Sequence, residues 1–346
     1  MRFIHSADIH LGAKIDSFPK EISEERKREV RNSFLRMVEF AKTEGIEVIM
    51  LSGDVFDRDK PYKKDVDFFY DVVESNKNIH FLYLRGNHDL EGERREIDNL
   101  KTFSSQWTKY EYGDVVISGI ELTESNSRSM YSTLSLDEKK RNIVMLHGQI
   151  GEEINLVKLR DKNIDYLALG HIHQHSDGVI DGRGRYAYSG CLEGRGFDET
   201  GDKGFIVLDV EDTIVHTFKP FSARCIEREE IDVTGLKEGY AMANLAREKI
   251  SFKKENIYRI ELVGEVDADV DGFADDVQRY LQKECLYLSV KDRTKKKIDY
   301  TAYEGDISLK GEFVRTVQAS ESYTDEEKAQ IIVYGLRALD GREVDA

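Results

Sequence analysis

Five short blocks of aspartate, histidine, asparagine and glycine stand in the first half of the 346-residue chain. In chain order the blocks are Asp8-Ile9-His10, Gly53-Asp54, Gly86-Asn87-His88-Asp89, His147-Gly148 and Gly170-His171-Ile172-His173. A specified four-residue block arises by chance in fewer than about one in a hundred chains of this length. The presence of five blocks in one chain therefore indicates a functional site.

The ligand types in these blocks favour a site for two divalent ions. Carboxylate, imidazole and amide oxygen without thiolate suit Mn²⁺, Fe²⁺, Zn²⁺ or Mg²⁺. Side chains two residues apart on an extended chain point the same way, so Asp8 and His10 can reach one ion, as can His171 and His173. Asp54 follows a strand pattern and can place an oxygen between two ions. Two ions about 3.5 to 4 Å apart activate water and neutralise phosphate oxygens, which predicts phosphate-ester hydrolysis.

A layered α/β domain is needed to bring the blocks together. Short apolar runs alternate with amphipathic segments at 22–42 and 64–74, as in a doubly layered α/β fold. The predicted strands are 2–6, 47–52, 80–84, 115–121, 142–146, 166–169, 185–189 and 204–210. Nearly every strand ends in a polar cluster, and open α/β sheets bind ligands at the carboxyl ends of their strands. The glycines of the blocks permit sharp turns and close backbone approach there.

The pattern changes after residue 220 and predicts a second, smaller α+β unit. At about 100 to 200 residues per domain, 346 residues allow two domains. The predicted elements are strands 226–233, 257–263 and 286–290 and helices 240–250 and 270–283. Two further helices, 309–319 and 324–339, close the chain, and Thr324 with Glu327 matches a capping box. We expect a linker at 220–224 and domains at 1–220, 225–300 and 307–346.

Composition limits the function classes. The chain has 51 basic and 67 acidic residues and a formal net charge of −16, so it lacks a surface that is basic throughout. No stretch approaches about 18 continuous apolar residues, and the start lacks the apolar core of a signal peptide. The three cysteines, Cys191, Cys225 and Cys285, have no metal-ligand spacing. We expect a soluble cytoplasmic protein that meets phosphate locally, through its metals.

The ordered blocks resemble those of the calcineurin-like metallophosphoesterase superfamily over roughly residues 1 to 220. Within it, the segments Ile4-His5-Ser6-Ala7-Asp8-Ile9-His10-Leu11-Gly12 and Ser52-Gly53-Asp54-Val55-Phe56-Asp57 are similar to the SbcD-type nucleases of double-strand-break repair, the meiotic recombination eleven family. This resemblance implies an αββα sandwich with two sheets, followed by a small α+β capping domain and C-terminal helices.

The resemblance also implies a role for each site residue. One ion would be held by Asp8, His10, Asp54 and His173, and the other by Asp54, Asn87, His147 and His171, with Asp54 bridging. His88 matches the family's catalytic histidine, which is not a ligand but orients the phosphate and protonates the leaving oxygen. Mn²⁺ is the favoured metal. One departure is Asp57, where some family members carry a histidine near this position.

The activity and partners implied by the resemblance are those of a repair nuclease. They comprise exonuclease action on duplex ends, endonuclease action on single strands, a homodimer formed through helices of the first domain, and an SMC-like ATPase subunit of the SbcC/Rad type docked on the C-terminal helices. Core packing is the alternative role of the apolar residues on those helices.

Two basic groups are candidates for DNA contacts in this acidic chain. The first comprises Lys291, Arg293, Lys295, Lys296 and Lys297, for which a solvated charged loop is the alternative. The second comprises Arg183, Arg185 and Arg195. The remaining acidity predicts weak, salt-sensitive DNA binding by the chain alone.

Two other functions fit the same blocks. The first is hydrolysis of nucleotides, cyclic nucleotides or phosphoproteins by the same metal site. The second is a scaffold subunit without catalysis, which loss of ligands would mark, although all seven are present. Histidines outside the blocks have other expected places: His5 in the core and His175 on an exposed loop.

Overall fold

The structure is a computed structural model that describes residues 1–58, 60–89, 95–267, 270–297, 300–339 and 341. Each domain range expected from the sequence includes a few residues outside this set: 59 and 90–94, then 268–269 and 298–299, then 340 and 342–346. The chain divides into two compact units, Met1–Ile226 and Glu227–Ala346.

The first unit contains two six-stranded sheets. Its strands are β1 (Arg2–Ser6), β2 (Val48–Ser52), β3 (His80–Leu84), β4 (Leu100–Thr102), β5 (Thr108–Tyr112), β6 (Val115–Gly119), β7 (Arg141–His147), β8 (Tyr166–Gly170), β9 (Ser176–Val179), β10 (Arg185–Tyr188), β11 (Gly204–Val210) and β12 (Ile214–Pro220). Its helices are α1 (Lys20–Thr43), α2 (Lys63–Ser75) and the single turn α3 (Met130–Thr133). One sheet has the order β12-β11-β1-β2-β3-β4 and the other β5-β6-β7-β8-β10-β9.

The sheets form the two central layers of a sandwich, as the family resemblance implied. A shared core joins their inner faces, with Phe3, Met50 and Leu82 from one sheet and Ile143, Met145 and Ala168 from the other. Helices α1 and α2 cover the outer face of the first sheet, where Phe34 and Phe69 pack with Ile49. A third cluster, which includes Met130 and Leu159, covers the outer face of the second sheet.

Parallel pairing gives the ligand blocks a common edge. Strands β1, β2 and β3 are parallel neighbours, and so are β7 and β8. The blocks follow the carboxyl ends of these five strands or contain their last residue. Parallel neighbours bring those ends to one side of each sheet, which positions the site.

The second unit is a smaller α+β assembly. In chain order its elements are β13 (Ile226–Asp232), α4 (Gly239–Lys249), β14 (Ile257–Val263), β15 (Glu265–Asp267), α5 (Phe273–Leu281), β16 (Tyr287–Asp292), β17 (Lys295–Lys297), α6 (Thr301–Glu304), α7 (Leu309–Ala319) and α8 (Asp325–Leu339). Strands β13, β14 and β16 form one sheet, and β15 pairs with β17. The capping box is confirmed, because the Thr324 backbone N–H donates to Glu327 Oε2 at 2.8 Å.

The segment expected to be a linker is attached to the first unit. Strand β12 ends at Pro220, and the Ala223 backbone N–H donates to Glu193 Oε1 at 2.6 Å. The Arg224 side chain forms ion pairs with Glu25 and Glu29 of α1. The boundary between the compact units therefore falls after Ile226, and 220–224 is not a free linker.

Within the described residues, no helix combines the length and apolar character needed to cross a membrane.

The core position expected for His5 is confirmed. Its side chain is fully buried in β1, with Nδ1 2.9 Å from the Tyr166 hydroxyl oxygen. Burial lowers the pKa of His5 to about 3. An unfolded chain, in which the pKa is near 6.5, therefore binds a proton that the folded protein excludes.

We expect His5 to weaken the fold in mild acid. Its folded pKa lies below the unfolded value, so its contribution to stability falls as the pH drops below about 6.5, by up to about 1.4 kcal/mol per pH unit. Replacement of His5 by glutamine, which does not titrate, should remove this dependence of the unfolding free energy on pH. Urea unfolding of both proteins between pH 7.5 and 5 measures it, and identical pH dependence in the two would contradict the assignment.

Candidate metal centre

The first group of donor atoms comes from the ends of β1 and β8. His10 Nε2 lies 3.1 Å from His173 Nε2, and His173 Nε2 lies 3.9 Å from Asp8 Oδ1. Donor atoms of these three residues all lie within 4.8 Å of one another. Asp8 and His10 are buried, and His173 is half-buried. The group has the composition of a site for one divalent ion.

A second group adjoins the first and shares Asp8 with it. Donor atoms of Asp8, Asp54 and His147 also lie within 4.8 Å of one another, and His147 Nε2 is 3.4 Å from Asp54 Oδ2. Asn87 Oδ1 lies 3.0 Å from His147 Nε2 and 3.2 Å from His171 Nδ1. All seven ligand candidates thus meet in one place. The carboxylate common to both groups is Asp8, whereas the resemblance assigns the bridging role to Asp54.

The backbone at the site is strained. Four ligand candidates adopt positive φ angles: Asp8 at 52°, His10 at 52°, Asp54 at 51° and His171 at 98°. A residue with a side chain in this left-handed region costs on the order of 1 kcal/mol or more, and such residues cluster at functional sites. Surrounding hydrogen bonds hold these turns, including His171 N–H to Asp8 Oδ1 and Oδ2 at 3.0 Å each.

Glycine is required where the loops after β2 and β7 meet. A Cβ atom on Gly53, where φ is +97°, would lie 2.1 Å from His147 Nδ1. Only glycine combines this backbone conformation with so close an approach.

We expect Gly53→Ala to displace the His147 ring and to weaken metal binding by at least about tenfold, because a misplaced ligand loses its bond. Gly113→Ala is the matched control, since Gly113 has φ +65° but a Cβ atom added there would have no described atom within 4 Å beyond its chain neighbours. The control should cost about 1 kcal/mol of stability and leave metal affinity unchanged. Calorimetric Mn²⁺ titration of both variants measures the difference, and equal affinities would refute this role for Gly53.

Three of the ligand histidines are oriented through Nδ1. His173 Nδ1 lies 2.7 Å from Glu199 Oε1, and His10 Nδ1 lies 3.2 Å from Asp57 Oδ1. His147 Nδ1 lies 2.9 Å from the Ser52 carbonyl oxygen. At His147 and His173 the acceptor hydrogen bonded to Nδ1 fixes the tautomer in which Nε2 is free to bind a metal, which is the usual arrangement in metalloproteins. At His10 the Asp57 carboxylate lies beside Nδ1. The donor set and its support therefore fit divalent ions.

Sequence reasoning missed these supporting acceptors. Glu199 lies 26 residues after His173, and no motif connects the two. Asp57 was recognised only as a departure from the family pattern. Its position three residues after Asp54 was the one available signal, because the turn that carries Asp54 also carries Asp57 towards His10.

Arg195 joins the two supporting carboxylates. Its Nη1 donates to Asp57 Oδ1 at 2.8 Å and its Nη2 to Glu199 Oε1 at 2.6 Å. Its side chain is 19% exposed. The sequence suggested Arg195 as a DNA contact, and the structure places it beside the ligands, where its charge offsets the two carboxylates.

His88 lies at the rim of the site and Asp89 beneath it. The half-buried His88 ring is 5.6 Å from the His10 ring, centroid to centroid, and its backbone N–H donates to Asp54 Oδ1 at 3.0 Å. Asp89 accepts backbone hydrogen bonds from Val55 at 3.1 Å and Phe56 at 2.9 Å. Burial, together with the charge of Asp54, raises the pKa of Asp89 to about 7. Asp89 thus connects the loops that carry Asp54 and His88.

The other candidate DNA contacts differ in their exposure and in whether they are paired with a carboxylate. Arg183 makes two bonds of 2.9 Å to the Asp165 carboxylate, and Arg185 lies 3.4 Å from Asp177. Lys296 Nζ lies 2.8 Å from Asp271 Oδ1, and the lysine side chain is only 14% exposed. Four basic residues near β16 and β17 are exposed: Lys291, Arg293, Lys295 and Lys297.

His175 is half-buried rather than exposed, because its ring stacks on Phe218 with centroids 4.2 Å apart. Its Nδ1 lies 2.9 Å from the Tyr188 carbonyl oxygen. It does not belong to either donor group found among the described residues.

The family model and the curated relatives that match this chain agree on one protein family. A family model described as calcineurin-like phosphoesterase matches residues 1–175, which hold all seven ligand candidates and His88. A protein of Bacillus subtilis named uncharacterized metallophosphoesterase YhaO is 28% identical over 284 residues, which covers 72% of this chain and 68% of the relative.

Two archaeal proteins, each named DNA double-strand break repair protein Mre11, are also similar. The one from Sulfurisphaera tokodaii is 25% identical over 203 residues, covering 52% of this chain and 51% of the relative. The one from Sulfolobus acidocaldarius is 21% identical over 381 aligned positions, covering 100% of this chain and 97% of the relative. The match to the Sulfurisphaera protein thus spans about half of that relative's length.

Proposed function

Because the chain belongs to the calcineurin-like phosphoesterase family, we propose that it is a metal-dependent phosphodiesterase that cleaves DNA during double-strand-break repair. The observation that carries this proposal is the meeting of seven ligand-type side chains at one sheet edge, with three histidines presenting Nε2 to the site. The names of the archaeal relatives support DNA as the substrate.

Asp8, His10, Asp54 and His173 would hold one ion, and Asp54, Asn87, His147 and His171 the other. Bound ions of this kind supply an activated water and offset negative charge on the phosphate oxygens. Mn²⁺ is the metal that we favour, with Mg²⁺, Fe²⁺ and Zn²⁺ as alternatives. Asp57, Glu199 and the Ser52 carbonyl keep the imidazoles in the orientation that binding requires.

His88 would act on the substrate rather than on the metal. Its ring lies beside His10 at the rim of the site, and its backbone N–H fixes the Asp54 carboxylate. From this position the imidazole orients the phosphate and gives a proton to the leaving oxygen. General acid catalysis of this kind contributes about 10²- to 10⁴-fold in rate.

The proposal extends to the setting of the reaction. It includes exonuclease action on duplex ends, endonuclease action on single strands, a homodimer through helices of the first unit and a cytoplasmic location. It also includes an SMC-like ATPase docked on α7 and α8.

Helices α7 and α8 pack on each other through Val314, Val317, Ile332 and Leu336. On the same pair of helices, Leu309 is 70% exposed and Tyr334 is 45% exposed. These exposed apolar side chains support the docking of a partner on α7 and α8.

Parallel assays test the substrate class. The full chain with Mn²⁺ is offered a linear duplex, a circular single strand, nucleotides, cyclic nucleotides and a phosphopeptide. Cleavage of the two DNAs, with slower turnover of the small esters, supports the proposal. Turnover of small esters without cleavage of DNA would favour the alternative esterase functions. A chain that binds fewer than two metals and hydrolyses none of these substrates would be the scaffold subunit.

A further inference from the structure

A basic pocket lies beside the metal centre in the first unit and was not expected from the sequence. His10 forms part of its wall, next to the loop after β1, the exposed side of α1 and the segment before α2. Six of its lining residues are cationic: Lys14, Lys27, Arg28, Arg31, Arg58 and Lys64. Two are anionic, Glu24 and Asp65, so the lining carries a net charge of +4.

This charge stands out because the whole chain carries −16. Some of the cations have local partners: Lys27 lies 2.8 Å from Glu24, and Arg31 pairs with the buried Asp65. Lys14 pairs with Asp16 outside the pocket. Arg28 is exposed on α1. The excess of positive charge predicts a polyanionic ligand.

An exposed aromatic side chain stands among these cations. Tyr62 lines the pocket and is 53% exposed at the start of α2. The Arg58 guanidinium lies 4.7 Å from the centre of its ring, and Lys64 Nζ lies 5.7 Å from it. Cations that track a backbone, interleaved with an aromatic face on which a base stacks, are the features of single-strand nucleic-acid sites.

We infer that this pocket, which we call the Tyr62 pocket, binds an unpaired segment of the nucleic-acid strand next to the phosphate that is cleaved. One base stacks on Tyr62 while the cations contact the flanking phosphates. A paired base inside a duplex has no free face, so the strand must be single or locally separated to enter. The inference rests on the proposed function for its substrate, and it adds the pocket and the contacts that hold an unpaired strand beside the cleaved phosphate.

Two variants separate the two kinds of contact. Lys27→Gln/Arg28→Gln removes two positive charges from α1 and retains residues that favour helix. Tyr62→Leu removes the aromatic face and keeps an apolar side chain. The matched controls are Lys42→Gln/Lys77→Gln, exposed lysines that lie near the amino ends of β2 and β3, and Tyr323→Leu in the second unit.

The experiment measures binding of a fluorescent phosphorothioate oligothymidine to the full chain with Mn²⁺, over a series of salt concentrations. Turnover of bis(p-nitrophenyl) phosphate, which is too small to span the pocket, is measured in parallel. We expect the charge variant to bind about tenfold more weakly and to lose about 1.4 from the slope of log affinity against log salt, at about 0.7 per phosphate contact. We expect Tyr62→Leu to bind about tenfold more weakly with an unchanged slope.

The controls should match the wild type, and small-ester turnover should stay constant in every variant. Unchanged oligonucleotide binding in both pocket variants would overturn the inference, and so would a parallel loss of small-ester turnover. Failure of the proposed function has a different signature: the wild type would bind the oligothymidine through the Tyr62 pocket but cleave no DNA. Equal loss of affinity for a blunt duplex and for the single strand would overturn the requirement for an unpaired segment.

Discussion

Replacing Asp54 with asparagine is expected to weaken metal binding and to remove most of the hydrolysis. Asp54 is 2% exposed, lies 3.4 Å from His147 and accepts the His88 backbone N–H, so it is central to the second donor group. Asparagine keeps the shape but removes the negative charge that a divalent ion requires. We expect a rate loss of at least about a thousandfold, which corresponds to about 4 kcal/mol in activation free energy, and weaker binding of at least one ion.

Calorimetric Mn²⁺ titration and a hydrolysis assay measure these effects in the same samples. The control is Asp16→Asn, which removes one negative charge at an exposed position on the loop that follows β1. The control should retain both ions and wild-type rates. An Asp54→Asn protein that binds two ions with wild-type affinity would contradict the role assigned to this carboxylate.

His88→Ala is expected to separate the two effects, with metal binding retained and hydrolysis lost. His88 lies at the rim of the site, and its contact with Asp54 is through the backbone N–H, which alanine keeps. The loss of a group that orients the phosphate and donates a proton should lower the rate by about 10²- to 10⁴-fold. Metal stoichiometry and affinity should equal those of the wild type.

The leaving group provides a sharper readout for His88. A substrate that leaves as p-nitrophenolate needs little protonation, so its hydrolysis should suffer less than that of DNA. His175→Ala is the control, since His175 stacks on Phe218 outside both donor groups and its loss should affect neither substrate selectively. Release of metal from His88→Ala would mean that His88 has been misassigned and supports a ligand instead.

The ligand residues could be predicted because each lies next to a strand with a strong apolar pattern. Strand β2 is entirely buried and β3 nearly so, and the polar residues that follow them are conspicuous for that reason. Parallel pairing then makes the meeting of the blocks a consequence of topology. The alternation of strands and amphipathic helices predicted a layered α/β domain, and the family resemblance implied the αββα order of the layers.

Weak or interrupted patterns explain what the sequence did not show. Strand β17 is composed of three lysines and lacks the composition typical of a strand, whereas β12 has β-branched residues but is half-exposed. The helix expected at 270–283 begins at Phe273, because Gly272 adopts a positive φ of 71° immediately before it. Lys296 pairs with Asp271, which lies 25 residues earlier in the chain, and the local sequence does not indicate this contact.

The other features of the site that the sequence did not predict depend on contacts between residues far apart in the chain. Arg195 lies 138 residues from Asp57, and only the folded chain brings them to 2.8 Å. The Tyr62 pocket likewise combines the loop after β1, α1 and the segment before α2, none of which is unusual alone. Its local charge of +4 also revises the meaning of the net charge of −16, since the site has cations of its own beside the candidate ligands.

Anomalous scattering from crystals soaked in Mn²⁺ locates each bound ion independently of activity. We expect two peaks about 3.5 to 4 Å apart. One should lie among Asp8, His10 and His173, and the other among Asp54, Asn87, His147 and His171. A single peak, or two peaks away from these residues, would contradict a two-metal centre in this protein.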